Sequence, residues 1–246
     1  MRVNRAFVDM PLVPGTRVAL PEGAAAHLLR VLRLGTGDAC VLFNGDGRDV
    51  GARIVATDRR GGEVELLEAR AVDNEPPLRI VLLQGIARGE KMDWILQKAT
   101  ELGVAAFMPA SSDRSEVRLD PARATKRLAH WCSVVVAACE QSGRARVPPV
   151  AAPGALAGAV ASLAPGGLRL LLDPTADDGV GALPVPGPDG VVVAIGPEGG
   201  WSPRDRTRLA DAGFRGVRLG PRILRTETAG IAAIAALQAR FGDLGG

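Results

Sequence analysis

Two stretches near the C-terminal end hold the residues best suited to chemistry: Val191-Val-Val-Ala-Ile-Gly-Pro-Glu-Gly-Gly-Trp-Ser-Pro-Arg-Asp205 and Leu219-Gly-Pro-Arg-Ile-Leu-Arg-Thr-Glu-Thr-Ala-Gly230. In the first, an apolar run meets a glycine-rich loop whose missing Cβ atoms permit positive φ and let a ligand approach the backbone. Ser202, Pro203 and Asp205 then supply a helix start: a cap, a proline in the first turn and an acid three residues on. Such a loop offers backbone groups to an adenine, a ribose or a phosphate, and the same pattern also makes a plain strand-to-helix turn. It is neither a Walker loop, since no Gly-Lys-Ser/Thr follows, nor the G-x-G-x-x-G dinucleotide fingerprint. In the second stretch Arg222, Arg225 and Glu227 crowd beside Ile223 and Leu224. Thr226 reads as the N-cap of a last helix with Ile231, Ile234, Ala235 and Leu237 on its core face. Capping accounts for Thr226 and Glu227, but not for two arginines interleaved with apolar residues. Two further clusters, Asp113–Arg118 and Glu140–Arg146, set arginines beside hydroxyl or amide side chains, a pattern that polar loops share.

The elements that must position these residues follow from periodicity. From Leu78 onward, buried-strand runs (residues 80–85, 104–109, 168–173 and 191–195) alternate with helical segments (91–102 and about 121–140), and a helix-containing connection spans 151–167. Alternation of this kind predicts a parallel sheet. Both motif loops then leave the carboxyl edge of that sheet, where ligands of open α/β sheets bind. Residues 1–72 read differently: a short strand at 17–20, a helix with Pro21 at its first position carrying His27–Arg33, and short strands at 39–43, 50–56 and 62–67. Asn44-Gly-Asp-Gly and Arg59-Arg-Gly-Gly make the turns between those strands. Tight hairpins predict a small β-barrel, joined through a linker at 73–77 to a second domain over 78–246.

Composition bounds the function classes. The chain has 246 residues, 47% of them hydrophobic, with a net charge of +3. That charge is compatible with a nucleic-acid partner without demonstrating one. Arginine greatly outnumbers lysine, present only as Lys91, Lys98 and Lys126, so an arginine here points to phosphate less strongly than usual. Few aromatics argue against a surface that mainly stacks bases. No apolar run reaches membrane-span length, and the N-terminus has no h-region, which predicts a cytoplasmic protein. Cys40, Cys132 and Cys139 fit buried small hydrophobes, and with His27 and His130 far apart no metal site is expected.

Taken in order, His27–Arg33, Phe43-Asn-Gly-Asp-Gly, Lys91-Met-Asp-Trp-Ile-Leu-Gln-Lys-Ala-Thr-Glu-Leu-Gly103, Arg114-Ser115, Glu140-Gln-Ser-Gly-Arg144, Gly196-Pro-Glu-Gly-Gly200 and Leu219–Ala229 resemble the RsmE family of 16S ribosomal RNA methyltransferases, of the SPOUT class. The resemblance implies an α/β fold: an N-terminal PUA-like barrel that helps bind RNA, and a SPOUT domain with a parallel sheet and a C-terminal trefoil knot. It implies a homodimer that methylates N3 of one uridine in the decoding region of 16S rRNA in the small subunit. It implies S-adenosylmethionine (SAM) held by three loops. Carried onto this chain, these are Leu172 and Asp173; Ile195, Gly196, Pro197, Glu198, Gly199 and Gly200; and Leu219, Gly220, Ile223, Leu224, Thr226 and Ala229. The activated methyl leaves the protein the tasks of positioning and charge management. Arg225 and Arg222, with Arg114, are candidates to stabilise the uridine anion, and Glu198 or Glu227 to accept its proton or orient an arginine. Arg30, Arg33, Arg114 and Arg144 are expected to contact RNA. Competing readings are another SPOUT methyltransferase, a non-catalytic RNA-binding or ribosome-assembly factor, and a nucleotide-dependent metabolic enzyme.

Overall fold

The computed structural model describes residues 4–59, 61–117 and 120–245. Arg60, in the turn expected at 59–62, and Arg118, the last arginine of the 113–118 cluster, lie outside the described residues. The chain divides into two units: residues up to Glu75 together with Val136–Val147, and Pro76–Val135 together with Pro148 onward.

The first unit is built on a five-stranded sheet, β1 (Arg5–Phe7), β2 (Arg17–Ala19), β3 (Ala39–Phe43), β4 (Arg48–Thr57) and β5 (Gly62–Ala71), in the order β1-β3-β4-β5-β2. β1 and β3 are parallel and the other pairs antiparallel. β4 and β5 are longer than the sequence pattern suggests. Their pairing shifts register at Val50/Ala52 and Ile54/Ala56, and such bulges bend a strand pair. Alternation along β4 and β5 turns Val50, Ala52, Ile54, Val64 and Leu66 into a core with Leu28 and Leu42. Helix α1 (Glu22–Ala25) runs on as a π-helix over Ala26–Val31. Pro21 is its N-cap and not, as expected, its first residue: φ −54° with ψ 152° is extended backbone.

A segment from far along the chain completes this unit. Glu140 accepts a hydrogen bond from the Phe7 N–H at 3.0 Å, and Ala145 O accepts from Gly47 N at 3.2 Å. Arg5, almost wholly buried, pairs with Asp49 at 2.6 Å and donates to Cys139 O at 2.8 Å. Arg144 departs from the expectation of an RNA-facing charge. It is 4% exposed, and its guanidinium pairs with Glu75 at 2.5 Å. A buried guanidinium needs such a carboxylate, so this one is spent on the unit's interior. Arg30 and Arg33, by contrast, are exposed beside Val31, and Arg33 has a φ of +58°. Burial pushes the Cys40 and Cys139 thiols up to about 11, consistent with inert packing residues.

The second unit is an α/β layer structure on a six-stranded parallel sheet. Its strands are β6 (Ile80–Gly85), β7 (Ala106–Ser111), β8 (Gly154–Ala155), β9 (Leu168–Leu172), β10 (Val191–Ile195) and β11 (Arg215–Val217), ordered β11-β9-β10-β6-β7-β8. β6 and β10 lie side by side at the centre and every residue of both is buried, the pattern of strands covered on both faces. The helices of this unit are α2 (Glu90–Glu101), the Pro121–Val135 part of α3 (Pro121–Ser142), α4 (Leu156–Ala161), α5 (Pro203–Asp211) and α6 (Thr226–Phe241). Chain order runs outward from β6 through β7 to β8, and later returns to β9 and β10 on the other side of β6. The chain therefore changes direction between β6 and β10, and it is at the carboxyl edge beside such a point that open α/β sheets bind ligands.

Candidate functional site

A cavity of about 330 Å³ lies at this edge, within the size range of small-molecule sites. Three loops wall it. The segment after β9 contributes Leu172 and Pro174, and the loop after β10 contributes Ile195, Gly196, Pro197, Glu198, Gly200 and Trp201. The segment from β11 into α6 contributes Leu219, Arg222, Ile223, Leu224, Arg225, Thr226, Glu227 and Ala229. The structure thus brings together most of the residues singled out in the sequence. Asp173, Gly199 and Gly220 do not line the cavity, and neither does Arg114. Four lining residues escaped the sequence reading of the site: Lys91, Pro174, Trp201 and Arg206.

The loop after β10 is held from several directions. Its exit is the anticipated capping box: Asp205 N donates to Ser202 Oγ at 3.0 Å, and Ser202 N to an Asp205 carboxylate oxygen at 3.2 Å. Ser202 Oγ also donates to Asp113 at 2.8 Å, and Asp113 N donates to Asp205 at 3.2 Å. Arg114, next to Asp113, donates to the Gly199 carbonyl at 3.2 Å. A Cβ on Gly199 would stand 3.1 Å from Arg114 O. Gly200 takes a φ of +67°, where a side chain is strained. Gly199 and Arg114 therefore act on the shape of the loop and not as walls of the cavity.

Thr226 has a different role from the one expected. The N-cap of α6 is Arg225, in extended conformation and without a side-chain cap bond. Thr226 is the first helical residue, and its hydroxyl donates to the Gly196 carbonyl at 2.5 Å. This hydroxyl ties together the two motif loops, and Thr226 and Gly196 both line the cavity.

The charges sort by partner. Glu198 Oε1 accepts from the Arg88 N–H at 3.1 Å and from Lys91 Nζ at 3.0 Å. Partial burial pushes its carboxyl up, but the hydrogen bonds, from its own backbone, Arg88 and Lys91, outweigh this and hold it below the usual range. An ionised, doubly bonded carboxylate of depressed basicity is a poor proton acceptor. Asp173 follows the same rule. Burial works against ionisation, and hydrogen bonds from Thr175 and the Arg206 ion pair overcome it. Asp173 thereby positions Arg206 at the wall without reaching the cavity itself. Arg222 and Arg225 remain, exposed and with no side-chain hydrogen bond or ion pair among the described residues. Two lining residues carry buried polar atoms without a partner among the described residues, Glu227 Oε2 and Trp201 Nε1.

Comparison with known proteins decides the family. The model of an RNA methyltransferase domain matches residues 74–238, and that of an RNA methyltransferase PUA domain matches residues 20–67. Ribosomal RNA small subunit methyltransferase E of Buchnera aphidicola (subsp. Schizaphis graminum) is 31% identical, over 99% of this chain and 98% of its own length. This chain belongs to the ribosomal RNA small subunit methyltransferase E family. Among further family members, the Synechocystis protein is 35% identical over 90% of this chain and 73% of its own. A crystal structure of the Neisseria gonorrhoeae family member bound to S-adenosyl methionine superposes with a TM-score of 0.91. It is 40% identical, over 98% of this chain and 99% of that one. A Legionella pneumophila protein in complex with SAM reaches a TM-score of 0.94 at 36% identity, covering 99% and 100%. The α/β fold with a PUA-like N-terminal part, and methyltransfer as the activity class, stand on these matches.

Proposed function

We propose that this family member uses SAM to methylate N3 of one uridine in the decoding region of 16S rRNA, in the small ribosomal subunit. The cavity fits the cofactor. Its walls are largely apolar, as an adenine ring requires, while Glu198 and Glu227 place negative charge near a site for a cation. The buried, unpartnered Trp201 Nε1 and Glu227 Oε2 are groups that a ligand would satisfy. Leu172, Ile195, Gly196, Pro197, Glu198, Gly200, Leu219, Leu224, Thr226 and Ala229 would hold the cofactor, which supplies an activated methyl group when bound. The SAM-bound relatives support this assignment.

The observation that carries the uridine reading is the sorting of cations. Lys91 and Arg206 are matched by Glu198 and Asp173, whereas Arg222 and Arg225 have no partner among the described residues. Uridine N3 becomes nucleophilic only on losing its proton, and the resulting charge spreads onto the flanking carbonyl oxygens. Arg225, with Arg222, stabilises that charge. Glu227 takes the proton; Glu198, committed to Arg88 and Lys91, holds the loop. Arg30 and Arg33 contact RNA phosphate, and Arg114 supports the Gly199 turn. Family resemblance further supports a cytoplasmic homodimer with a C-terminal trefoil knot, organised as domains 1–72 and 78–246 about a linker at 73–77. No described helix is long and apolar enough to cross a membrane.

The test is Arg225→Ala in single-turnover methylation of 16S rRNA in assembled small subunits, with SAM affinity measured by calorimetry. The expected result is a loss of at least about 100-fold in rate with affinity within about threefold of wild type. A near-normal rate removes Arg225 from the chemistry.

A further inference from the structure

We propose that Gln84 is a positioning residue for the cofactor loop: its amide nitrogen orients the Thr226 hydroxyl onto the Gly196 carbonyl and so sets the plane of the Gly196–Pro197 peptide. The proposal rests on the reading that the loop after β10 holds SAM.

Gln84 is the polar exception in a strand otherwise made of Ile80, Val81, Leu82, Leu83 and Gly85, and it is fully buried. It pairs across the sheet with Ile195, the residue just before Gly196. Its Nε2 donates to Gly85 O at 2.8 Å and to Thr226 Oγ1 at 3.1 Å, and Thr226 Oγ1 donates to Gly196 O at 2.5 Å. A hydroxyl has one proton. With Nε2 donating to its oxygen, that proton goes to Gly196, and the direction of the relay is fixed. The amide has no useful inverted placement. An oxygen in the Nε2 position would face the Gly85 carbonyl and a hydroxyl whose proton is already committed.

The far side of the amide shows what the residue is not for. Oε1 is buried and has no hydrogen-bond partner among the described residues; it lies 3.7 Å from the Cβ position of Gly230. An unpaired buried acceptor opposes folding, so an apolar residue of the same shape would serve the strand as well or better. What Gln84 contributes is its donor side. The peptide it governs is a special one. Pro197 has no N–H, so the carbonyl of Gly196 is the only polar handle by which that peptide plane is held.

The experiment compares wild type with Gln84→Met, Thr226→Val, Thr226→Ser and the Gln84→Met/Thr226→Val pair. It measures SAM affinity by titration calorimetry and the melting temperature without ligand. The expected outcome is about tenfold weaker SAM binding for Gln84→Met, equal to ~1.4 kcal/mol, with the melting temperature within about 3 °C of wild type. Thr226→Val should weaken binding similarly, Thr226→Ser should retain it, and the double variant should be no weaker than the poorer single one, as members of one relay are non-additive. Gln84→Met with SAM affinity within twofold of wild type overturns the proposal. So does additive weakening in the double variant, or weakened binding accompanied by a large loss of melting temperature. Wild-type protein that fails to bind SAM overturns instead the cofactor reading beneath it.

Discussion

The close approach of β6 to the cofactor loop makes Gly85→Ala a demanding probe. A Cβ on Gly85 would stand 2.5 Å from Pro197 Cδ, 2.6 Å from Pro197 N and 3.0 Å from the Gly196 carbonyl carbon. Ordinary contact begins near 3.4 Å, so the loop must retreat by about 0.9 Å. The obstacle is backbone and a proline ring, neither of which has a rotamer to escape into. Over-packing of this kind costs about 1–3 kcal/mol, which in a chain of this length lowers the melting temperature by about 2–12 °C. The displaced loop is the one assigned to SAM, so calorimetric affinity should fall by at least about tenfold, and turnover further, since a misplacement near 1 Å costs up to ~100-fold. Gly158→Ala is the control. Nothing lies within 4 Å of its Cβ position in α4, and removing chain entropy there should leave affinity unchanged and raise stability by about 0.4–1 kcal/mol. Gly85→Ala with wild-type melting and wild-type SAM affinity would refute the described packing of β6 against the loop and the role given to that loop.

Two further outcomes follow from the charges. Glu198 titrates below the usual carboxylate range in the folded chain. Its stabilisation is therefore present above that range and lost as pH falls through the lowered value. In melting temperatures taken from pH 7 down to 3, Glu198→Gln should be less stable than wild type at pH 7, and the gap should close below about pH 4. Parallel curves would show that Glu198 contributes nothing through Lys91 and Arg88. Joint replacement of Arg30 and Arg33 by glutamine should reduce the slope of log affinity for RNA against log salt by about 1.5, from ~0.7–0.9 per lost phosphate contact. An unchanged slope places neither side chain on phosphate.

What was legible in the sequence was local. The apolar run 191–195 and the Ser202-Pro203-Asp205 start are written in adjacent residues, and the structure reproduces both. The two motif loops meet at one cavity because buried strands and helices alternate, a pattern that periodicity reveals. Three-residue strands such as β1 and β11 are too short to show any period. Thr226 looked like a cap because cap residues and relay residues share a hydroxyl; only the fold places Gly196, 30 residues earlier, within its reach. Arg144 and Glu75 are 69 residues apart, and Lys91 and Glu198 are 107. No spacing rule links such partners, so which arginines are spent internally and which remain for a substrate could be read only from the structure. Gln84 stayed hidden for a related reason: within a buried strand, one amide reads as a tolerated exception until its partners are seen.

The central claim, that the cavity directs a methyl group to uridine N3 of small-subunit RNA, is tested most directly by product identification. Small subunits lacking the modification are incubated with the purified protein and isotopically labelled SAM, and the digested RNA nucleosides are resolved by mass spectrometry. The expected product is labelled 3-methyluridine, at one site, as the sole labelled nucleoside. Label in a 2′-O-methyl nucleoside or in another base, or no label at all with SAM bound, would contradict it.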